Sequence, residues 1–81
     1  MEGTIRKLTD GMNESISKAN TNLAYTKRKK RTILKSCVKI LQAVDALCDL
    51  FGVEMPDEAV NANIHLDEFF GCDVLSMNAA Y

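Results

Sequence analysis

Between Ile33 and Phe51 the apolar positions fall at Ile33, Leu34, Cys37, Val38, Ile40, Leu41, Val44, Leu47, Cys48 and Phe51, returning every three or four residues. That period belongs to an amphipathic helix, in which residues three and four apart share a face. Projected at about 100° per residue, the set covers roughly half the helix circumference, wider than the a/d seam of a two-stranded coiled coil. The pattern therefore predicts a helix packed against at least two neighbours. Gly52 then supplies a residue suited to the left-handed helix stop, and Pro56 prevents the same helix from resuming.

Upstream, Ile5, Leu8, Met12, Ile16, Ala19 and Leu23 keep helical spacing, but the stripe is one residue wide and Gly11 interrupts it. A mid-helix Gly costs about 1 kcal/mol against Ala, so this helix needs a partner. The stretch between Asn20 and Thr32 sets polar Thr26 and Lys30 where the stripe would pass. It permits two arrangements: one long helix running to Phe51, or a hairpin folded at Asn20-Thr21-Asn22. A helix starting at Thr26 would place Lys27, Arg28, Lys29, Lys30 and Arg31 against the positive end of its own dipole, a penalty that vanishes mid-helix. On that ground the sequence favours the continuous helix.

Past the turn at 52–55, Asp57 and Glu58 sit where the first turn of a short helix would want acids, with Pro56 at the favoured first position. Asn61, Ala62 and Asn63 blur the stripe that follows. The expectation is an early end and a second short turn near Asn63 carrying Ile64, Leu66, Phe69 and Phe70, closed by Gly71. Val74, Leu75, Met77 and Tyr81 make the last ten residues too apolar for a free tail, so that segment should dock. The organisation expected is a single small helical domain over 1–81: a long helix or hairpin over 1–51, a turn over 52–55, and short helices with a docking tail over 56–81.

Charge changes the picture. All ten Lys and Arg residues lie at or before Lys39, with three acids among them, while the other eight acids lie after it, so a formal net charge of −1 hides halves of +7 and −8. A polarised chain can cancel its charge in a hairpin, pair head to tail with a second copy, or offer its basic half to a polyanion.

Size adds a constraint. At 81 residues one core supplies only a few kcal/mol of net stability, and such chains often rely on metal, crosslinks or association. Three widely spaced cysteines, Cys37, Cys48 and Cys72, with one histidine, suggest neither a zinc site nor a disulfide framework. They read as small buried hydrophobes in a reducing compartment. Association is the remaining device, and Leu34, Cys37, Leu41, Val44, Leu47 and Phe51 are the expected core between chains. No apolar run is long enough to span a membrane and the first residues lack the order of a secretory signal, so the expectation is an intracellular chain, cytoplasmic or nuclear, with no membrane partner.

Candidate chemistry is sparse. The run Lys27, Arg28, Lys29, Lys30, Arg31 is the densest charge in the chain. It could track phosphates, it fits a short nuclear-import signal, and its plainer reading is a solvated stretch neutralising acids elsewhere in the assembly. Tyr25 is the nearest aromatic in sequence, which gives no stacking platform for single strands. His65 with Cys72 would be the sole nucleophile–base pair and lacks a third group, while Asp45 and Asp49 alone make a poor cation site.

The segment Asn63-Ile64-His65-Leu66-Asp67-Glu68-Phe69-Phe70 resembles the PCNA-interacting peptide box. There a Gln, two free positions, an aliphatic residue, two free positions and two aromatics form a short turn that plugs a pocket on the sliding clamp. Leu66, Phe69 and Phe70 match, and Asn63 stands in place of the Gln. The resemblance implies a clamp-binding accessory protein; on periodicity alone the same three residues are core or interface of the bundle.

The sequence thus points to an all-α chain self-associating into a helical bundle or coiled-coil-like oligomer, a homodimer in its simplest form. It acts without catalysis, cofactor, metal or small-molecule substrate, as an adaptor or inhibitor of a larger protein partner. Many small charge-polarised helical proteins that act in this way are virus-encoded, an analogy of type rather than of motif. The alternatives are a nucleic-acid-binding dimer using 27–31 and the clamp-binding reading of 63–70.

Overall fold

A computed structural model describes residues 2–77 as three α-helices, α1 (Glu2–Thr21), α2 (Lys27–Phe51) and α3 (Asp57–Phe70), followed by one turn of 3-10 helix, η1 (Val74–Ser76). The continuous helix favoured by the dipole argument does not form. The chain breaks at 22–26, two residues beyond the hairpin point read from the sequence, and the break is chemically specified. The Asn22 side-chain oxygen accepts from the Ala24 amide at 3.0 Å, an Asx turn, and the Tyr25 amide donates to Asn22 O at 3.1 Å. Thr26 then caps α2, its hydroxyl accepting from the Lys29 amide at 3.0 Å.

Magnitudes explain why the fold accepts basic residues at the start of α2. Each charge opposed to a helix dipole costs at most about 1 kcal/mol at an exposed site. Each Leu, Ile or Met moved from water into a core gains about 1.5–3 kcal/mol. Folding back buries Ile5, Met12, Ile16 and Ala19 of α1 against Leu34, Cys37, Val38, Leu41 and Val44 of α2, which a single extended helix would leave exposed. The narrow stripe of α1 suffices because the wide stripe of α2 wraps it. Thr9 lies within that stripe and is buried, its hydroxyl donating back to Ile5 O at 2.8 Å. Leu23, expected to extend the stripe, lies in the turn and is 98 % exposed.

Helix α2 ends as its sequence predicts. Gly52 adopts φ +66°, its amide donates to Asp49 O, and the Val53 amide donates to Cys48 O, the paired bonds of a Schellman stop. Helix α3 departs from expectation: Asn61 to Asn63 neither end nor restart it, and it runs unbroken from Asp57 to Phe70, with Pro56 just before its first residue. Ala59, Ala62 and Leu66 form its buried face, so the small Ala62 read as a blur is a point of close approach.

Two hydrogen bonds give the direction of α3. Asn13 Nδ2 donates to Glu58 O at 3.3 Å and Asn20 Nδ2 to His65 Nε2 at 3.0 Å, the same 45-residue offset, so α1 and α3 run parallel and α2 runs against both. Arg6 adds an ion pair to Glu58 at 2.8 Å. After Gly71 the chain docks on α2, where the Gln42 side-chain amide donates to Val74 O at 2.9 Å and Met77 O at 2.7 Å, and Val74 is fully buried. The docking expected of the tail holds as far as Met77; the part of it that rested on Tyr81 lies outside the described residues. The bundle is 39 Å long, about the ~37 Å that a 25-residue helix spans.

Candidate functional site

The up-down-up order brings the C-terminal ends of α1 and α3 to the same pole as the N-terminal end of α2, and each of the three supplies a side chain or backbone end there. Residues Lys27 to Arg31 form the first turns of α2, with no acid among them. Lys35 and Lys39 continue the positive charge one and two turns on, lining with Thr32 and Ser36 a hollow of about 300 Å³. At the opposite pole lie Asp45 and Asp49 near the end of α2, Glu54 in the turn, and Asp57 and Glu58 opening α3. Asp67 and Glu68, in the last turn of α3, lie at the basic end and Arg6 and Lys7 at the acidic one, so the charge asymmetry of the sequence is carried into the two ends of the bundle in part.

Whether those acids neutralise the basic run decides between the readings, and distance answers it. Among the described residues the ion pairs are Arg6 with Glu58, at 2.8 Å, and Lys18 with Glu14, at 3.5 Å. None of the seven cations between Lys27 and Lys39 takes part. The hairpin carries Asp45, Asp49, Asp57 and Glu58 to the far pole, so these four do not pair with the run inside one chain, and the plain reading of neutralisation within an assembly then requires the acids of another copy.

Three of the cations lie instead against aromatic rings. Lys29 Nζ is 5.0 Å from the Tyr25 ring centre, Lys30 Nζ 5.7 Å from that of Phe69, and the Arg31 guanidinium carbon 5.3 Å from that of Phe70. Phe69 and Phe70 meet edge to face with ring centres 4.9 Å apart. An open groove of about 310 Å³ runs between Lys27, Lys30, Arg31 and Phe69. Sequence reasoning missed this pairing of basic run and phenylalanines. They lie some forty residues apart, and only the direction of α3 brings them together.

Other candidates are placed differently. Leu34, Cys37, Leu41 and Val44, expected between chains, are covered within one chain by α1 and α3, at 0–1 % exposure. Leu47 is half-buried, and of that set only Phe51 is exposed. Leu66 is fully buried and Phe69 and Phe70 close an intact helix, so the clamp-like box is not presented as a free turn; its Asn63 carries a buried Oδ1 with no partner. His65 pairs with Asn20, while the Cys72 thiol, exposed, lies 3.9 Å from Met77 Sδ.

Asp45 and Asp49 gather no third ligand. Among the described residues no group of three His, Cys, Asp or Glu side chains could hold a metal ion. Burial raises the Cys37 thiol above its ordinary pKa; it raises that of Cys48 too, with Asp45 and Asp49 adding to the effect. A cleft of about 470 Å³ lies at the far pole between Glu2, Ile5, Arg6, Val53, Glu54 and Pro56. No helix among the described residues is long and apolar enough to cross a membrane. Compared with protein-family models, with curated proteins and with solved structures, the chain finds no match.

Proposed function

We propose that this chain is a non-enzymatic binding module whose basic pole takes a polyanion, the phosphate backbone of a nucleic acid. The observation that carries this reading is the run of cations from Lys27 to Lys39, none of which is paired with an acid among the described residues. Their repulsion from one another and from the dipole of α2 is offset by no ion pair among the described residues, only by the ring contacts of Lys29, Lys30 and Arg31. Phosphates at that pole would remove it while releasing their own counterions, so binding is driven by charge and weakened by salt.

Engaging the five cations of the run would give a slope of about −3.5 for single strands or −4.5 for duplex in log affinity against log salt. Between about 50 and 200 mM salt the affinity then falls roughly 100- to 500-fold. The test is a fluorescence titration against labelled DNA and RNA at both salts, repeated with Lys27 to Arg31 changed to Gln. The reading expects binding at low salt that collapses with salt and is lost in the variant. Absence of binding at low salt, or binding equal in the variant, rejects it.

A second reading is favoured by one observation at the other pole. Leu50 and Phe51 are 75 % and 48 % exposed beside Asp45 and Asp49, an acid-rimmed apolar end with the opposite charge to the basic pole. It supports a self-associating adaptor in which one copy's acidic end meets the basic end of the next, or of a larger protein. Sedimentation across protein concentrations tests it. Association abolished by Leu50→Ser with Phe51→Ser, at unchanged helicity, supports the reading; a monomer at every concentration rejects it.

A further inference from the structure

The basic pole carries more than charge. A surface built only to meet a phosphate backbone needs cations, yet here three aromatic rings from two separate segments are set among them. Tyr25 comes from the turn before α2, Phe69 and Phe70 from the last turn of α3, and each has a cation 5.0–5.7 Å from its ring centre. Phe69, 37 % exposed in the last turn of α3, forms one wall of the groove completed by Lys27, Lys30 and Arg31. At about 310 Å³ and open to solvent, the groove is at the low end of small-molecule sites and suits a segment of a longer ligand that passes across it.

We infer that this pole binds single-stranded nucleic acid, one base stacking on Phe69 while Lys27, Lys30 and Arg31 take the flanking phosphates. The inference rests on the polyanion reading and narrows it. Charge alone does not prefer a single strand over a duplex. An exposed ring does, because a base reaches it only when unpaired, and every base has a face to offer, so little sequence preference should accompany the binding. Tyr25, half-buried beside Lys29 in the turn before α2, gives a neighbouring base a second ring. A double helix brings phosphates to the same cations but keeps its base faces stacked inside, away from Phe69.

The deciding experiment compares three probes on the full chain at low salt: a single strand of about ten nucleotides, as oligothymidylate and as oligouridylate, a duplex of the same length, and inorganic polyphosphate, which has charge without bases. The single strands should bind more tightly than the duplex or polyphosphate. Phe69→Leu, which keeps an apolar contact for Phe70, should lower single-strand affinity about 5- to 100-fold relative to polyphosphate. Tyr25→Leu, in a turn where no core depends on it, should move the same ratio in the same direction, and keeps the test valid if the Phe69 variant folds poorly.

A duplex bound as tightly as the single strands, or a ratio unmoved in both variants, overturns the stacking inference and leaves the polyanion reading standing. Failure of all three probes to bind removes the polyanion reading itself. Binding confined to a protein partner would reassign Phe69 to a protein contact, with the same consequence for the inference.

Discussion

Leu41 and Cys37 mark what single residues in this chain decide. Both were legible as apolar positions of one stripe; what the stripe could not say was which surface covers them. The structure covers them with α1 of the same chain, and the Cys37 thiol lies 3.8 Å from Met12 O. Leu41→Ala should therefore destabilise the folded chain by about 2–5 kcal/mol whatever its state of association, measured by urea denaturation at two protein concentrations. Thiol chemistry gives a second check. Cys72 is exposed, whereas Cys37 and Cys48 are buried with their thiols shifted upward, which disfavours the reactive thiolate in the folded state. One thiol should react quickly at mildly alkaline pH and all three only after denaturation. Two fast thiols in the native protein would contradict the placement of the core cysteines.

The elements show where sequence reasoning succeeds and where it loses. Helix α2 was readable because ten apolar positions agree on one period, and its stop because Gly52 stands where a left-handed residue is required. Gly52→Ala should cost about 1 kcal/mol, from the strain of a side chain at positive φ. The break between α1 and α2 is legible in the sequence only as the less favoured of two arrangements, because local electrostatics, worth at most about 1 kcal/mol per charge, is weighed there before the burial of a whole apolar face. The continuity of α3 went unread because Asn61 and Asn63 look like a boundary, although Ala62 between them is what the packing uses.

The turn now offers its own tests. Thr26→Ala should lose about 1 kcal/mol with the cap. Lys27→Glu with Arg28→Glu should raise the melting temperature, each change worth about 0.3–1 kcal/mol at low salt, while weakening polyanion binding. A rise in stability together with a fall in affinity would identify the cations as retained for binding. Packing of α1 on α3 also depends on acidity. The Glu58 carboxyl is held below its ordinary range, first by its own backbone amide and then by Arg6. That contribution is present above the ordinary carboxylate pKa and is lost as pH falls through the lower, folded value. Glu58→Gln should flatten this part of the acid denaturation profile.

At the scale of the molecule, the three helices gather the run Lys27 to Arg31 at one end of a 39 Å bundle and Asp45, Asp49, Glu54, Asp57 and Glu58 towards the other, with Asp67 and Glu68 left near the basic end. The opposed halves were plain in the sequence, as was the basic run. The aromatic partners of that run were not, since nothing local links Phe69 to Lys30; the link is made by the parallel course of α1 and α3. The same folding removes the proposed intermolecular core and leaves Leu50 and Phe51 as the apolar feature of the acidic end.

Nucleic acid bound at the basic pole would leave its mark on the backbone amides there. The most direct measurement is a titration of isotope-labelled protein with a short single strand at low salt, following each backbone amide by magnetic resonance. Shifts should gather at Tyr25 to Arg31 and at Phe69 and Phe70, with Asp45 to Phe51 unmoved. Shifts centred on the acidic end, or none at saturating oligonucleotide, would contradict binding at the basic pole.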